Sequence, residues 1–291
     1  MIRTLSVSAV ILAAIGSGVA VMAADAMPSV SIAAPAMGAT FTGTTIPVTV
    51  AAKNFTIECT NVGQGMKAGR GHYHVMIDGM SMAQMTNLYC TNSFAVSGAG
   101  LRAGEHTLAV VLASDDHVMV GKPAMTKFMY APKVAQPLPE AAAEKPVVTI
   151  VSPKTGTIVG RNVELKVAIS GYDLSCNLEG KPNVAGYGHL HVFVMQDAMP
   201  MHDMGEMKGA KSEMKSDMKD EHANKDMKKS DGMGMESMAM PGMIGMPCTK
   251  TVPVDLSAWK AGKTTLMVML AKNDHMPTAG AVPASVDVVV K

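Results

Sequence analysis

Two short stretches carry the residues best suited to chemistry, Gly71-His72-Tyr73-His74-Val75-Met76-Ile77-Asp78 and Gly188-His189-Leu190-His191-Val192-Phe193-Val194-Met195. Side chains on a strand alternate between faces, so His72, His74 and Met76 share one face while Tyr73, Val75 and Ile77 share the other. In the second copy Leu190, Val192 and Val194 form the apolar face. His189, His191 and Met195 take the outer one, with Phe193 where Met76 stood. The apolar face can enter a core, so the histidines are expected to stay accessible, and two imidazoles so spaced can grip one metal ion. His117 and His275 supply a third neutral nitrogen ligand in each copy, provided the Asp-His loop folds back beside the strand, and such a set accepts Cu(II) or zinc. The competing reading is that these imidazoles hydrogen-bond backbone or cap strand ends. His106 lacks a counterpart and belongs to packing or to a fourth ligand.

Methionine gives a second signal. Met199, Met201, His202, Met204, Met207, Met214, Met218, His222, Met227, Met233, Met235, Met238, Met240, Met243 and Met246 lie in one hydrophilic segment. Thioether sulfur is a soft ligand that selects Cu(I) or Ag(I) over zinc, magnesium or calcium. The Met-x-x-Met spacing of Met201, Met204 and Met207 lets several sulfurs reach one ion. The segment resembles the Met- and His-rich metal-binding segments of periplasmic copper and silver resistance proteins. Core filling is the alternative role for methionine, but interleaved Lys, Asp and Glu leave no sustained apolar face. Oxidant scavenging also stays open.

Other chemistries find no support. A blue-copper site needs a thiolate a few residues before a His and a Met, and neither Cys90 nor Cys248 has a following His in range. There is no nucleophile elbow, H-E-x-x-H helix or phosphate loop, so the chain is expected not to be an enzyme.

The elements that must position these residues come as a duplicated unit. Cys59 precedes His72 by 13 residues, and Cys176 precedes His189 by 13. Cys90 precedes His117 by 27, and Cys248 precedes His275 by 27. Only the stretch from His191 to Cys248 is out of step, at 57 residues against 16 from His74 to Cys90, which implies an insertion of about 41 in the second copy. Short strands separated by Gly, Pro and Asn turns are expected at 30–33, 46–52, 55–60, 72–78, 94–97, 106–113 and 126–130, and the order repeats later. The predicted fold is all-β, two tandem immunoglobulin-like or cupredoxin-like antiparallel sandwiches at 27–130 and 147–291 joined by a Pro/Ala linker at 131–146. The insertion, about 197–247, is too polar to fold alone and is expected to be disordered.

Residues 1–23 read as a secretory signal, with cleavage after Ala23 or Ala26 and an uncleaved anchor as the alternative. Removing Arg3 with that leader balances 24 basic against 24 acidic residues, so nothing favours nucleic acid or membrane insertion. The four cysteines divide two per copy at matching places, which in an oxidising compartment pairs Cys59 with Cys90 and Cys176 with Cys248.

The G-x-G-H-x-H strand, the Gly-x-His-Thr-Leu strand at 104–108 and the Asp-His loop after it resemble a family of exported bacterial β-sandwich domains of unknown function. Both units match over most of their length, the second departing at Thr264, where the pattern has His. The resemblance implies a fold and an exported location, and little about activity. Together these readings describe an exported periplasmic or envelope protein that buffers or hands on Cu(I) through its methionines, with Cu(II) or zinc at the histidines and another periplasmic copper protein as partner. The alternative is a structural or adhesive module, a rod of sandwiches with a flexible Met-rich spacer.

Overall fold

A computed structural model describes residues 27–134, 137–141, 145–196 and 240–291. The leader, with its cleavage site, and the candidate ligands Met199, Met201, His202, Met204, Met207, Met214, Met218 and His222 lie outside the described residues, as does the expectation of disorder for their segment.

Each repeat folds into a two-sheet sandwich, and the two copies use the same strand order. In the first unit β1 (Ser29–Ala34), β3 (Thr45–Lys53) and β7 (Ser93–Ser97) form a small sheet in the order β1-β3-β7. The larger sheet runs from β2 (Ala39–Phe41) through β9 (Met119–Tyr130), β8 (Gly104–Ser114) and β5 (Arg70–Ile77) to β4 (Thr56–Ile57), with β6 (Met85–Tyr89) also paired to β5. The second unit repeats this. Its small sheet is β10 (Val147–Ser152), β12 (Asn162–Ser170) and β16 (Thr251–Asp255). Its large sheet orders β11 (Ile158–Val159), β18 (Ala284–Val290), β17 (Gly262–Lys272), β14 (Tyr187–Met195) and β13 (Asp173–Leu174), with β15 (Met243–Gly245) against β14. The short edge strands β2, β4, β11 and β13 pair in parallel, a departure from a wholly antiparallel sandwich.

The period-two pattern explains which side chains enter each core. Tyr73, Val75 and Ile77 on β5 meet Ile46, Val48 and Val50 on β3 and Leu108, Val110 and Leu112 on β8. Leu190, Val192 and Val194 play that part in the second unit. Both pairings of the cysteines are present, Cys59 with Cys90 and Cys176 with Cys248.

The outer faces behave differently from the expectation that the histidines stay accessible. Along β5 every residue after Arg70 is buried, because the two large sheets pack on one another. Met76, Met85, Ala109 and Val111 of the first unit and Phe193, Met243 and Met246 of the second form one apolar cluster, flanked by Leu88, Met240, Met267 and Met269. The stripe around the histidines is thus apolar on both sheets, and covering one with the other removes both from water. The sequence alone places Met243 and Met246 in the Met-rich segment of candidate soft ligands. They are core side chains instead, and residues 240–247 belong to the sandwich, with β15 standing where β6 stands in the first copy. Face-to-face pairing also differs from an end-to-end rod.

The glycine that opens each histidine strand has a steric reason. A Cβ on Gly71 would lie 1.9 Å from the carbonyl oxygen of Ala113, and one on Gly188 would lie 2.0 Å from that of Ala271. Gly71 also has φ +151°, a region that side chains disfavour. Replacing Gly71 with Ala should therefore force β5 off β8 and lower the stability of the first unit by about 3 kcal/mol or more. A denaturant midpoint within error of wild type would contradict this.

Candidate metal centre

Three imidazoles converge in each unit. The first two sit on the central strand, His72 opposite Ala113 and His74 opposite Val111, and in the second unit His189 lies opposite Ala271 and His191 opposite Met269. The third comes from the turn after the next strand. The His117 N–H donates to the Ser114 carbonyl, and the His275 N–H donates to that of Lys272, each at 2.9 Å. Both residues adopt left-handed backbone, φ 66° and 64°, uncommon for a residue with a side chain. That conformation turns the ring back beside the strand, so the Asp-His loop does fold as the ligand set required.

The triads are near copies. Ring centroids are 4.7 Å apart for His72–His74, 4.7 Å for His72–His117 and 5.5 Å for His74–His117. The corresponding separations are 5.0, 4.5 and 5.8 Å for His189–His191, His189–His275 and His191–His275. Within each triad one nitrogen per ring lies within 4.8 Å of the others. All six rings are buried. Burial is the main cause that holds their pKa values below the ordinary histidine value, down to about 4 for His117 and His275, with mutual repulsion adding to it at His72, His74, His189 and His191. The rings are therefore neutral at pH 7, the form in which imidazole binds metal.

Most of their nitrogens have no protein partner. Both nitrogens of His72 and His74, and Nδ1 of His117, His189, His191 and His275, are buried without a hydrogen bond. Each such orphan costs about 1–3 kcal/mol unless something satisfies it, and an ion taking one nitrogen from each ring would relieve those that face the triad. Backbone bonding accounts for only two rings. The His117 Nε2–H donates to the Met243 carbonyl at 3.1 Å and the His275 Nε2–H to the Met85 carbonyl at 2.6 Å. A carbonyl only accepts, so Nε2 carries the proton in both rings and Nδ1 keeps the lone pair for a metal. The two bonds are reciprocal. Met85 pairs with Met76 on β5, and Met243 pairs with Phe193 at the matching place on β14. Each unit thus orients the third histidine of the other.

His106 is not part of this set. Its Nδ1 meets Asp78 Oδ2 at 2.7 Å, its Nε2 donates to the Arg102 carbonyl at 2.8 Å, and its ring stacks on Phe128. It is a packing residue of the first unit. At the equivalent position Thr264 accepts a hydrogen bond from Gln196 Nε2.

Two charged groups escaped the sequence reading. Asp115 is fully buried in the turn before His117 and accepts from Arg70 Nε at 2.7 Å; the second unit has Asn273 there, donating to the Pro182 carbonyl. Glu179, also buried, places Oε1 at 3.7 Å from His189 Nδ1. Its distance from Cys176 equals that of Val62 from Cys59, and one charged position in a single copy carried no pattern to find it. Cys176, Glu179 and Cys248 also cluster, but their sulfurs are joined in the disulfide and offer no thiolate.

No protein-family model matches the chain, and no curated protein matches it. Solved structures similar to it include the fibronectin(III)-like modules of Clostridium thermocellum CbhA, at 13% identity and TM-score 0.26, covering 90% of this chain and 94% of that one. The three N-terminal domains of the bacteriophage RB49 outer capsid protein Hoc match at 14% identity and TM-score 0.20, covering 90% and 59%. The four N-terminal immunoglobulin domains of Dscam1 match at 8% and 0.20, covering 91% and 46%. The described residues contain no helix long and apolar enough to cross a membrane.

Proposed function

We propose that this chain is an exported metal-binding protein that holds copper or zinc in its two imidazole triads and buffers or hands on Cu(I) through its Met-rich segment. The observation that carries the reading is the presence, twice, of three buried neutral imidazoles with one nitrogen per ring within 4.8 Å of the others, and with most of the ring nitrogens free of a hydrogen bond. Burial keeps the rings deprotonated, His117 and His275 present Nδ1, and the surrounding sheets exclude water. When bound, the ion would take one nitrogen from each ring, Nδ1 in the case of His117 and His275. Two paired disulfides and the N-terminal leader support an oxidising compartment outside the cytoplasm. The Met-rich segment supports Cu(I) through its thioethers, and a copper protein of the same compartment is the partner it would exchange with.

The tag-free chain should take up one Zn(II) or Cu(II) per unit, measured by calorimetry with metal analysis. His72→Ala with His74→Ala should remove one equivalent, and His189→Ala with His191→Ala the other. Replacing Met201, Met204 and Met207 with Leu should lower Cu(I) uptake while both imidazole equivalents persist. No measurable uptake by the wild type, or uptake indifferent to all four histidines, overturns the reading.

A further inference from the structure

We infer that Glu179 is a positioning residue that makes the second unit's triad the tighter of the two and suits it to a divalent ion; this rests on the metal-binding reading above. The two units are near duplicates at their six histidines, so a difference beside one triad acts as an internal comparison. His189 Nε2 lies 3.0 Å from His191 Nε2, which turns Nε2 toward the triad and leaves Nδ1 at the rear. Glu179 Oε1 stands behind that rear nitrogen, 3.7 Å away, and Glu179 Oε2 is buried without a partner. A carboxylate behind a ligating imidazole takes its N–H, fixes the tautomer and ring plane, and makes the front nitrogen more basic, an effect worth about 10- to 100-fold in metal affinity. The first unit has no such arrangement. Neither His72 nor His189 Nδ1 has a hydrogen bond, but only His189 has a carboxylate at ion-pair distance: Val62 occupies the position of Glu179, and the buried Asp115 is already engaged by Arg70.

Charge points the same way. Three neutral imidazoles leave the full charge of a divalent ion uncompensated in a buried site, whereas a carboxylate within contact distance of one ligand offsets part of it. The ligand class is therefore a divalent, nitrogen-preferring ion, Zn(II) or Cu(II), at the second triad ahead of the first.

The test uses full-length chains with one intact triad each. His72→Ala with His74→Ala leaves the second triad, and His189→Ala with His191→Ala leaves the first. Zn(II) affinity, read by competition with a chromophoric chelator, should be about 10- to 100-fold higher for the chain that keeps the second triad. Adding Glu179→Val to that chain should bring its affinity down to that of the first triad, and Glu179→Gln, which keeps shape and an acceptor but no charge, should fall between. Thermal melting without metal separates this from unfolding. If Glu179→Val melts below its parent, the isosteric Glu179→Gln decides. Equal affinities for the two single-triad chains, or no change on replacing Glu179, overturn the inference and leave the metal-binding reading standing. Failure of every chain to bind Zn(II) overturns that reading first.

Discussion

Metal-free protein should lose stability steeply between pH 7 and pH 5. A group whose folded pKa lies below its unfolded value contributes fully above the unfolded pKa, and the contribution is lost as pH falls toward the folded one. His117 and His275 have folded values of about 4 against 6.5, with burial as the cause, so their window runs from 6.5 down to 4. Across pH 7 to 5 each accounts for about 2 kcal/mol. His72, His74, His189 and His191 shift in the same direction. The charged groups around them do not cancel this. Asp116 and Asp274 favour the protonated rings of His117 and His275, but burial outweighs them. Glu179 and Asp115 work in the opposite sense, both carboxyls raised by burial, and they are two groups against six. Lys181, pulled down to about 8 by burial, is mostly charged by pH 7 and adds little slope below it. The first two histidines alone imply a fall in melting temperature of roughly 10 °C. Melting in chelator at the two pH values measures it. A change of less than about 2 °C on that scale, or a rise, would show that the rings are not buried neutral. His74→Leu with His191→Leu should flatten the profile.

The second large effect concerns the contact between the sandwiches. Ala109 is fully buried in the apolar cluster, opposite Met76 and away from the histidines along β8. A lysine there cannot be accommodated without paying desolvation of a charge, and separating the sheets is the cheaper response. Separation breaks the bonds from His117 to the Met243 carbonyl and from His275 to the Met85 carbonyl, so both third ligands lose the partner that sets their tautomer. Ala109→Lys should therefore weaken metal binding in both units by about tenfold or more, although no ligand has changed. Ala109→Glu should do the same, which separates the effect from simple repulsion of a cation. Small-angle scattering should report a larger radius for both variants. Separated sheets with unaltered affinity in either unit would refute the cross-unit role of these carbonyls.

These two effects share an energetic origin. Fully burying side chains such as Met76, Met85, Met243 and Met246 contributes about 1.5–3 kcal/mol apiece. Orphaned imidazole nitrogens cost about as much each. The interface is held by terms of similar size and opposite sign, which makes it sensitive to whatever occupies the nitrogens or protonates them.

Much of this molecule is determined by local rules that the sequence obeys openly. Alternation of Tyr73, Val75 and Ile77 against His72, His74 and Met76 sets which face enters a core, because strand geometry has a period of two. Equal spacings in the two copies, from Cys59 and Cys176 to the histidines and from Cys90 and Cys248 to the turns, determine the duplication, the disulfide pairing and the histidine triads. Only the tertiary structure decided what lies over the histidines. Sequence periodicity separates two faces of a sheet but does not say whether the second meets water or another sheet. Phe193 in place of Met76, with Met267 and Met269 beside it on β17, made that second face apolar, and apolar faces of matched shape exclude water together. The same packing turned Met243 and Met246 from soft-ligand candidates into core, and gave His117 and His275 hydrogen-bond acceptors 126 and 190 residues away in the chain. Glu179 was legible as a residue type only; its place behind His189 depends on a turn near Cys176 meeting β14, a contact between segments that no spacing rule connects.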